Sequence, residues 1–513
     1  MIFLAKVSKF IPIICVFVGI FSLLFSARLY PCVRGTIKKK GIILQRKIKF
    51  PKRINERAKA SVFYGAANLF SRGIGFLFTP LFTRLLLPEE YGVYSLYTSL
   101  LGIFTVLISL EICGSISYKG MAKFNTGGTE EYASASFGVG AILYLGACAI
   151  YLAASKFIDG LTGLSPALTL ILMTQVFFNT TLGIALSRAR YEGKYRLVTT
   201  VSLTTGILTP LFSVLLILLG SGGYGRVISP LLTSGAAALL LALPTLKKSR
   251  KFYDKDIWKF IFGMAIPLLP HYLALSFIAS GDKIIVSKLY GGAVLGKYSV
   301  ACSLGLTPSL FAGGLTAALL PWVIKSLKAG RERVAAAVCE RAVRAVCLMT
   351  LVFLTALPEL YKIFAPSEYS TALPAAYAAA ASVPFSFAVT LSTAALLSVK
   401  RPIVISLISL FSAAVGIGAG LLSEAFFSPY LTALLPIAAY LTLCVCDGAV
   451  GRDLFKRSGV NVNNYLLTLL LLISGVFLAF WLKSLPIARL LLFFALILTA
   501  LGEFFRSRKL IMA

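Results

Sequence analysis

Apolar residues in this chain are gathered into long runs separated by short polar connections. A membrane-spanning helix needs about 20 predominantly apolar residues. Fourteen runs of that kind follow one another, near 61–84, 92–116, 133–154, 165–187, 197–220, 225–245, 258–281, 298–322, 345–364, 374–398, 402–422, 427–449, 464–482 and 486–504. A further apolar run, Ile11 to Ser26, precedes them. No connection is large enough to hold an active site of its own. The pattern predicts an all-α integral membrane protein with about fourteen core transmembrane helices.

Composition agrees. Of 513 residues 58% are hydrophobic and 13% charged, and the mean hydropathy is +0.88. Soluble domains average about 45–50% apolar and about 25% charged. Disorder is excluded by the apolar content. Nine Cys without a CxxC pair exclude a disulfide scaffold, and a single His argues against zinc. The net charge of +31 would by itself suggest nucleic acid, so its distribution decides the matter.

With residues before the first span placed in the cytoplasm, the inner segments are 28–60, 117–132, 188–196, 246–257, 323–344, 399–401, 450–463 and 505–513. These and their immediate flanks (to Lys259) carry 38 of the 50 Lys and Arg. The opposite side carries eight: Arg84, Lys156, Arg226, Lys283, Lys288, Lys297, Lys362 and Lys483. The asymmetry follows the positive-inside rule. It places loop 246–257 and the C-terminus in the cytoplasm and the chain in the inner (plasma) membrane. The basic run Lys247 to Lys251 reads as topogenic, and no nucleic-acid partner is expected. In the N-terminal extension, 1–60, the run Ile11 to Ser26 has the look of a signal h-region behind Lys6 and Lys9. Twelve basic residues between Arg28 and Lys59 oppose export of that flank. An extra helix, or an upstream stretch included in the reading frame, are the readings left.

An internal repeat sets the architecture. The segment Tyr91 to Leu100 recurs as Leu295 to Leu304, repeating Gly92, Tyr94, Ser95, Ser99 and Leu100 at an offset of 204. At the same offset Thr83-Arg84-Leu85 falls on Ser287-Lys288-Leu289. Six helices separate the copies and both leave on the outer face, so the repeat is parallel. It predicts two six-helix lobes, 61–245 and 258–449, related by a pseudo-two-fold along the membrane normal. The segment 246–257 joins them, and 450–513 adds two C-terminal helices and a basic tail.

The run Thr83 to Leu96 resembles the first-loop motif of the polysaccharide biosynthesis flippases, which include O-antigen and exopolysaccharide flippases. Gly281-Asp282-Lys283 followed by Gly296-Lys297-Tyr298-Ser299 resembles that family's seventh-helix exit, with Lys283 where the family usually has Arg. The resemblance implies the fold of the multidrug, oligosaccharidyl-lipid and polysaccharide exporter superfamily. It also implies alternating-access transfer of a polyprenyl-diphosphate-linked oligosaccharide between leaflets. No cofactor is implied. The partners implied are membrane lipids, a coupling ion (H+ or Na+), and polysaccharide polymerases or glycosyltransferases.

A charge in the bilayer core costs about 2.5–3.5 kcal/mol and usually faces a cavity or a partner. Arg72 lies mid-span on a stripe with Gly65, Asn68, Gly75, Thr79 and Thr83, which suits a watery lumen. Its guanidinium matches phosphate oxygens. We therefore expect Arg72, with Asn68, to bind the carrier diphosphate; an arginine bonded to helix carbonyls or to Glu111 is the alternative. Gln175 and Asn179 share one helical face and would bind sugar hydroxyls or hold helices together. Arg84, Lys283 and Lys288, with Asp282 and Lys297, would form a basic outer mouth, snorkelling being the alternative for Lys288 and Lys297. Asp282, Glu111 and His271 are the ion-coupling candidates. The apolar neighbours of His271 favour a packing role, and Pro267 and Pro270 predict a bend in its helix. Asp447 lies near an inner end, where it would couple cation flux or snorkel, and Glu359 near an outer one.

Enzyme signatures are missing. Asp254-Lys255-Asp256 mimics a glycosyltransferase DxD, but no nucleotide-binding domain surrounds it. No Walker A loop occurs, and His271, needed for any Ser-His-Asp triad, is inside the bilayer. No metal site and no enzymatic activity are expected. The alternatives to the glycolipid flippase are a cation-coupled multidrug exporter of the same superfamily and a lipid II flippase. Arg72 in place of a carboxylate argues against the former.

Overall fold

A computed structural model of the chain describes residues 70, 73–124, 128–398, 402–426, 428–450 and 462–512. Arg72, Asn68 and the run Ile11 to Ser26 lie outside them. The described residues are helical, with no strand among them. In order they form α1 (Thr79–Leu85, helical residues running back to Gly73), α2 (Pro88–Ser109), α3 (Ser115–Lys123), α4 (Thr129–Thr162), α5 (Pro166–Tyr191) and α6 (Tyr195–Leu216, continued by a π turn). Then come α7 (Gly223–Lys248), α8 (Lys255–Gly305), α9 (Pro308–Lys328), α10 (Glu332–Phe364), α11 (Leu373–Ser398), α12 (Pro402–Phe426), α13 (Leu434–Val450), α14 (Val462–Trp481) and α15 (Pro486–Met512). Among the described residues ten helices are long and apolar enough to cross a membrane, or eleven with the bent α9.

Local chemistry sets the boundaries. Pro opens α2, α5 and α9 at the first turn, where its missing N–H costs nothing. Asp254 caps α8, its Oδ1 accepting from the backbone of Asp256 and Ile257 at 3.0 Å each. The apparent DxD is therefore a helix cap. The C-cap of α4 is Gly163, in the left-handed region at φ 72°.

The 51 residues of α8 are two arms. Gly291 breaks them at φ 78° and ψ −176°, a conformation open essentially to glycine. In a straight helix Asp282 and Tyr298 would stand about 24 Å apart. Here the Tyr298 hydroxyl donates to Asp282 Oδ2 at 2.6 Å, so the chain doubles back at Gly291. The second arm runs on through α9, and the eighth span of the sequence reading begins earlier than 298.

The chain divides into two compact units, Pro51–Leu496 and Met1–Phe50 with Ile497–Ala513. The described residues of the smaller unit are helical. Within the larger, Ile112, Ile116, Met121, Tyr132 and Ile184 form an inner cluster that also takes in Ile257, Ile261 and Ala265 of α8. Trp258 Nε1 donates to the Ala135 carbonyl at 3.2 Å. The first turns of α8 thus pack on α4, and residues 249–254 connect α7 to α8. A second cluster, Ala274, Ile278, Val389, Ala413, Ala439 and Leu443, lies within the second lobe. Leu152, Leu219, Leu240 and Phe426 are each more than 70% exposed, as lipid contact requires.

Candidate functional site: the seam between the lobes and its buried charges

The repeated segments pack on one another. A Cβ on Gly92 would lie 2.0 Å from the Gly292 carbonyl oxygen, and one on Gly296 would lie 1.8 Å from that of Pro88. Gly92 and Gly296 are equivalent in the repeat, as are Pro88 and Gly292, so the contact is reciprocal in the manner of a two-fold interface. Ser95 and Ser299, also equivalent, touch through their hydroxyls. Each pairing stays within a helical turn of the 204-residue offset, so the helices run parallel and the pseudo-axis runs along them.

Further contacts close the ends that the topology assigns to the outer face. Thr83 donates to the Phe364 carbonyl at 2.9 Å, and the Phe76 and Phe364 rings lie 4.6 Å apart. Arg84 donates to Pro80 at 2.7 Å and Ile363 at 3.0 Å, and Lys288 to Gly160 at 2.9 Å. These two candidate mouth residues therefore hold the lobes together in this conformation.

The remaining candidates are dispersed. Asp282 is 3% exposed and carries Tyr298 on one oxygen and Lys283 Nζ at 3.5 Å on the other. Buried His271 joins the Ser409 hydroxyl through Nδ1 at 2.6 Å, and Ser406 donates to the Pro267 carbonyl at 3.0 Å, tying the proline-bearing arm to α12. Glu111 and Leu110 both adopt positive φ, 51° and 49°, where α2 ends. Two consecutive left-handed non-glycine residues hold about 1–3 kcal/mol of strain each. Gln175 accepts from the Tyr97 hydroxyl at 2.5 Å, both buried, whereas Asn179 is half-buried.

Three further buried charges have partners that the sequence did not show. Asp447 is completely buried, which removes snorkelling: Ser392 and Thr393 donate to Oδ2 at 2.8 and 3.0 Å, and among the described residues Oδ1 has no partner. Arg489, 5% exposed, forms a bidentate pair with Glu359 at 2.6 Å for both bonds, fixing α15 to α10. A charge within an apolar run was its signal, the one that singles out Arg72. Arg226 packs against three aromatic rings, Phe82, Tyr91 and Tyr94.

At the end that the charge asymmetry assigns to the cytoplasm, Arg188 reaches Glu130, Glu192 and Thr245, joining α4, α5 and α7. Burial raises the Glu192 carboxyl, but bonds from Lys194, Thr129 and Arg188 and the guanidinium charge outweigh it and hold it at about 2. A cleft of about 540 Å³ opens beside this end between Lys123, Phe124, Asp256, Lys259 and Phe260. Among the described residues no cluster of His, Cys, Asp and Glu could hold a metal ion.

The fold and the paired repeats define an all-α membrane protein of two pseudo-symmetric six-helix lobes with two C-terminal helices. Residues 58–327 match the polysaccharide biosynthesis protein family, and the chain belongs to it. A relative from Haemophilus influenzae, the Lsg locus putative protein 1, is 24% identical over 282 residues, 53% of this chain. The chain spans 66% of that relative's length. The lipid II flippase MurJ, in an inward closed conformation, superposes with a TM-score of 0.64 at 14% identity, covering 87% of this chain and 99% of MurJ. An inward-facing multidrug resistance transporter of the MATE family gives a TM-score of 0.57 at 13% identity, with 76% and 96% covered. These likenesses define a shared fold.

Proposed function

We propose that the protein is a flippase that carries a polyprenyl-diphosphate-linked oligosaccharide from the cytoplasmic to the outer leaflet of the inner membrane, for surface polysaccharide synthesis. The observation that carries the reading is the reciprocal contact of the two repeats at one end of the lobes, in a chain of the polysaccharide biosynthesis family. A seam of glycines and serines on a pseudo-two-fold is a surface that two lobes can part along. With that end closed, the substrate would enter from the cytoplasmic side. Parting the seam while the inner ends approach would expose it to the other leaflet. A ligand or ion drives the exchange only as far as it binds one state better than the other. The diphosphate would sit on Arg72 and the tail would stay in lipid. Loop 246–257 and the C-terminus would face the cytoplasm, and the lobes would be 61–245 and 258–449.

The decisive experiment is rescue of a strain lacking a defined lipid-linked oligosaccharide flippase, paired with translocation of the same substrate in vesicles. Arg72→Ala should insert normally and abolish translocation. Wild-type turnover by that variant would remove Arg72 from the phosphate site, and drug resistance without a glycolipid effect would replace the substrate class.

A further inference from the structure

Arg226 stands where a cation is disfavoured. It occupies the first turn of α7, at the positive end of the helix macrodipole, where the N-cap Gly222 offers no side-chain cap and Glu90 Oε1 lies against Gly222. Its guanidinium carbon lies 4.2 Å from the ring centroid of Phe82, 4.5 Å from that of Tyr91 and 3.9 Å from that of Tyr94. Phe82 and Tyr91 are buried, and Arg226 and Tyr94 are half-buried, so the cage reaches the surface on one side. Nη1 is fully buried and, among the described residues, has no hydrogen-bond acceptor. Among the described residues no carboxylate forms an ion pair with it. The rings stabilise the charge, but they leave that N–H unsatisfied.

The repeat supplies a control within the same molecule. Tyr94 and Tyr298 are equivalent at the 204-residue offset. In the second lobe Tyr298 donates to Asp282, which also has Lys283 beside it, so that copy is compensated. In the first lobe the equivalent tyrosine faces a guanidinium with no acid paired to it.

We propose that Arg226 is an oxyanion site at the outer end of the first lobe, for the phosphate of a lipid headgroup. The inference rests on the flippase reading. The carrier diphosphate arriving at the outer leaflet is one source of that chemistry, and an outer-leaflet phospholipid is the other. A guanidinium presents paired N–H donors that match phosphate oxygens. The same macrodipole that disfavours the cation favours an anion placed beside it, and the Tyr91 hydroxyl, which accepts from the guanidinium, helps to orient it. Phe82 belongs to α1, whose next residues, Thr83 and Arg84, bond the second lobe. While the outer seam is closed these bonds hold Phe82 against the guanidinium, and parting the seam would uncover the covered side of the cage.

The test uses the full-length protein in phosphatidylcholine nanodiscs with polyprenyl diphosphate as the probe. Affinity is measured for the unlocked protein and for protein locked by a Ser95→Cys/Ser299→Cys disulfide. In the unlocked protein Arg226→Gln should bind at least about tenfold more weakly than wild type, the loss of a charge-assisted hydrogen bond. In the locked protein the difference should vanish. Arg226→Lys, which keeps the charge within the rings, should recover part of the affinity and serves in its place if the Gln variant does not fold. Competition by added phosphatidylglycerol would assign the site to phospholipid headgroups, and its absence to the carrier diphosphate; both support an oxyanion site. Equal affinity of wild type and variant in the unlocked protein overturns the site, as does a loss that persists in the locked one. If the wild type binds no probe in either state, the site and the flippase reading fall together.

Discussion

Substituting either glycine of the seam should open it. An Ala at position 92 would place its Cβ 2.0 Å from the Gly292 carbonyl oxygen, and one at 296 would place it 1.8 Å from that of Pro88. Ordinary contact needs about 3.5 Å, so the helices must part by about 1.5 Å. The obstacle is backbone and cannot rotate away. Overpacking of this kind costs about 1–3 kcal/mol, here only in the conformation where the seam is closed. The open state should gain about five- to 160-fold in relative population. Oxidative cross-linking of a Ser95→Cys/Ser299→Cys pair reports the closed state, because the parent hydroxyls already touch. Adding Gly92→Ala or Gly296→Ala should slow the cross-link by a comparable factor. Gly102→Ala, on the same helix with nothing within 4 Å of its Cβ, should leave it unchanged. An unchanged rate in Gly92→Ala and Gly296→Ala would refute a moving seam, as would equal slowing by Gly102→Ala.

Three further expectations follow from the polar contacts. Glu359→Gln leaves Arg489, with a side chain 6% exposed, without its charge partner; since Glu359 is about half exposed the cost should be about 1–3 kcal/mol. It would appear as a lower melting temperature, partly restored by Glu359→Gln/Arg489→Met; a double variant no better than the single would refute the pair. Glu192, held at about 2 against an ordinary 4.5, contributes stability that is present above 4.5 and lost as pH falls through about 2. Hydrogen exchange on the α5–α6 turn between pH 6 and 2 should show this loosening, and Glu192→Gln should flatten it; an identical profile in the variant would contradict the assignment. Gln175→Ala strands the buried Tyr97 hydroxyl and should cost about 1–3 kcal/mol, whereas Tyr97→Phe/Gln175→Leu should be nearly neutral in melting temperature. A stable Gln175→Ala protein with lost substrate binding would return Gln175 to a sugar-binding role.

The long apolar runs and the 204-residue repeat were legible in the sequence because each is periodic or additive along the chain. A helix–helix seam is not, yet Gly92 and Gly296 already stood in the repeated motif; what the structure adds is the reason, a backbone approach that no other residue permits. The reversal at Gly291 depends on a torsion angle and left no mark beyond a Gly-Gly pair. Individual charges were read less well, for a physical reason. A charge count along the chain sums over many loops, but the fate of one buried charge depends on what packing brings beside it. Arg489 found a carboxylate 130 residues away, Gln175 a phenol 78 residues away, and Asp447 two hydroxyls on a neighbouring span. Arg226 found three rings and the Tyr91 hydroxyl. Since the folded chain can supply an acid to a membrane cation, as it does for Arg489, the lack of one at Arg226 sets this guanidinium apart. Its closest sequence signal is position: an arginine just after Gly222-Gly223-Tyr224-Gly225, in the first turn of a helix whose dipole opposes it. Such a placement is stable enough to persist only because three ring faces sheath the charge. Parting those rings without providing an oxyanion would leave the cation worse off, and this is why movement of the outer end of α1 and binding of an anion at Arg226 should be coupled.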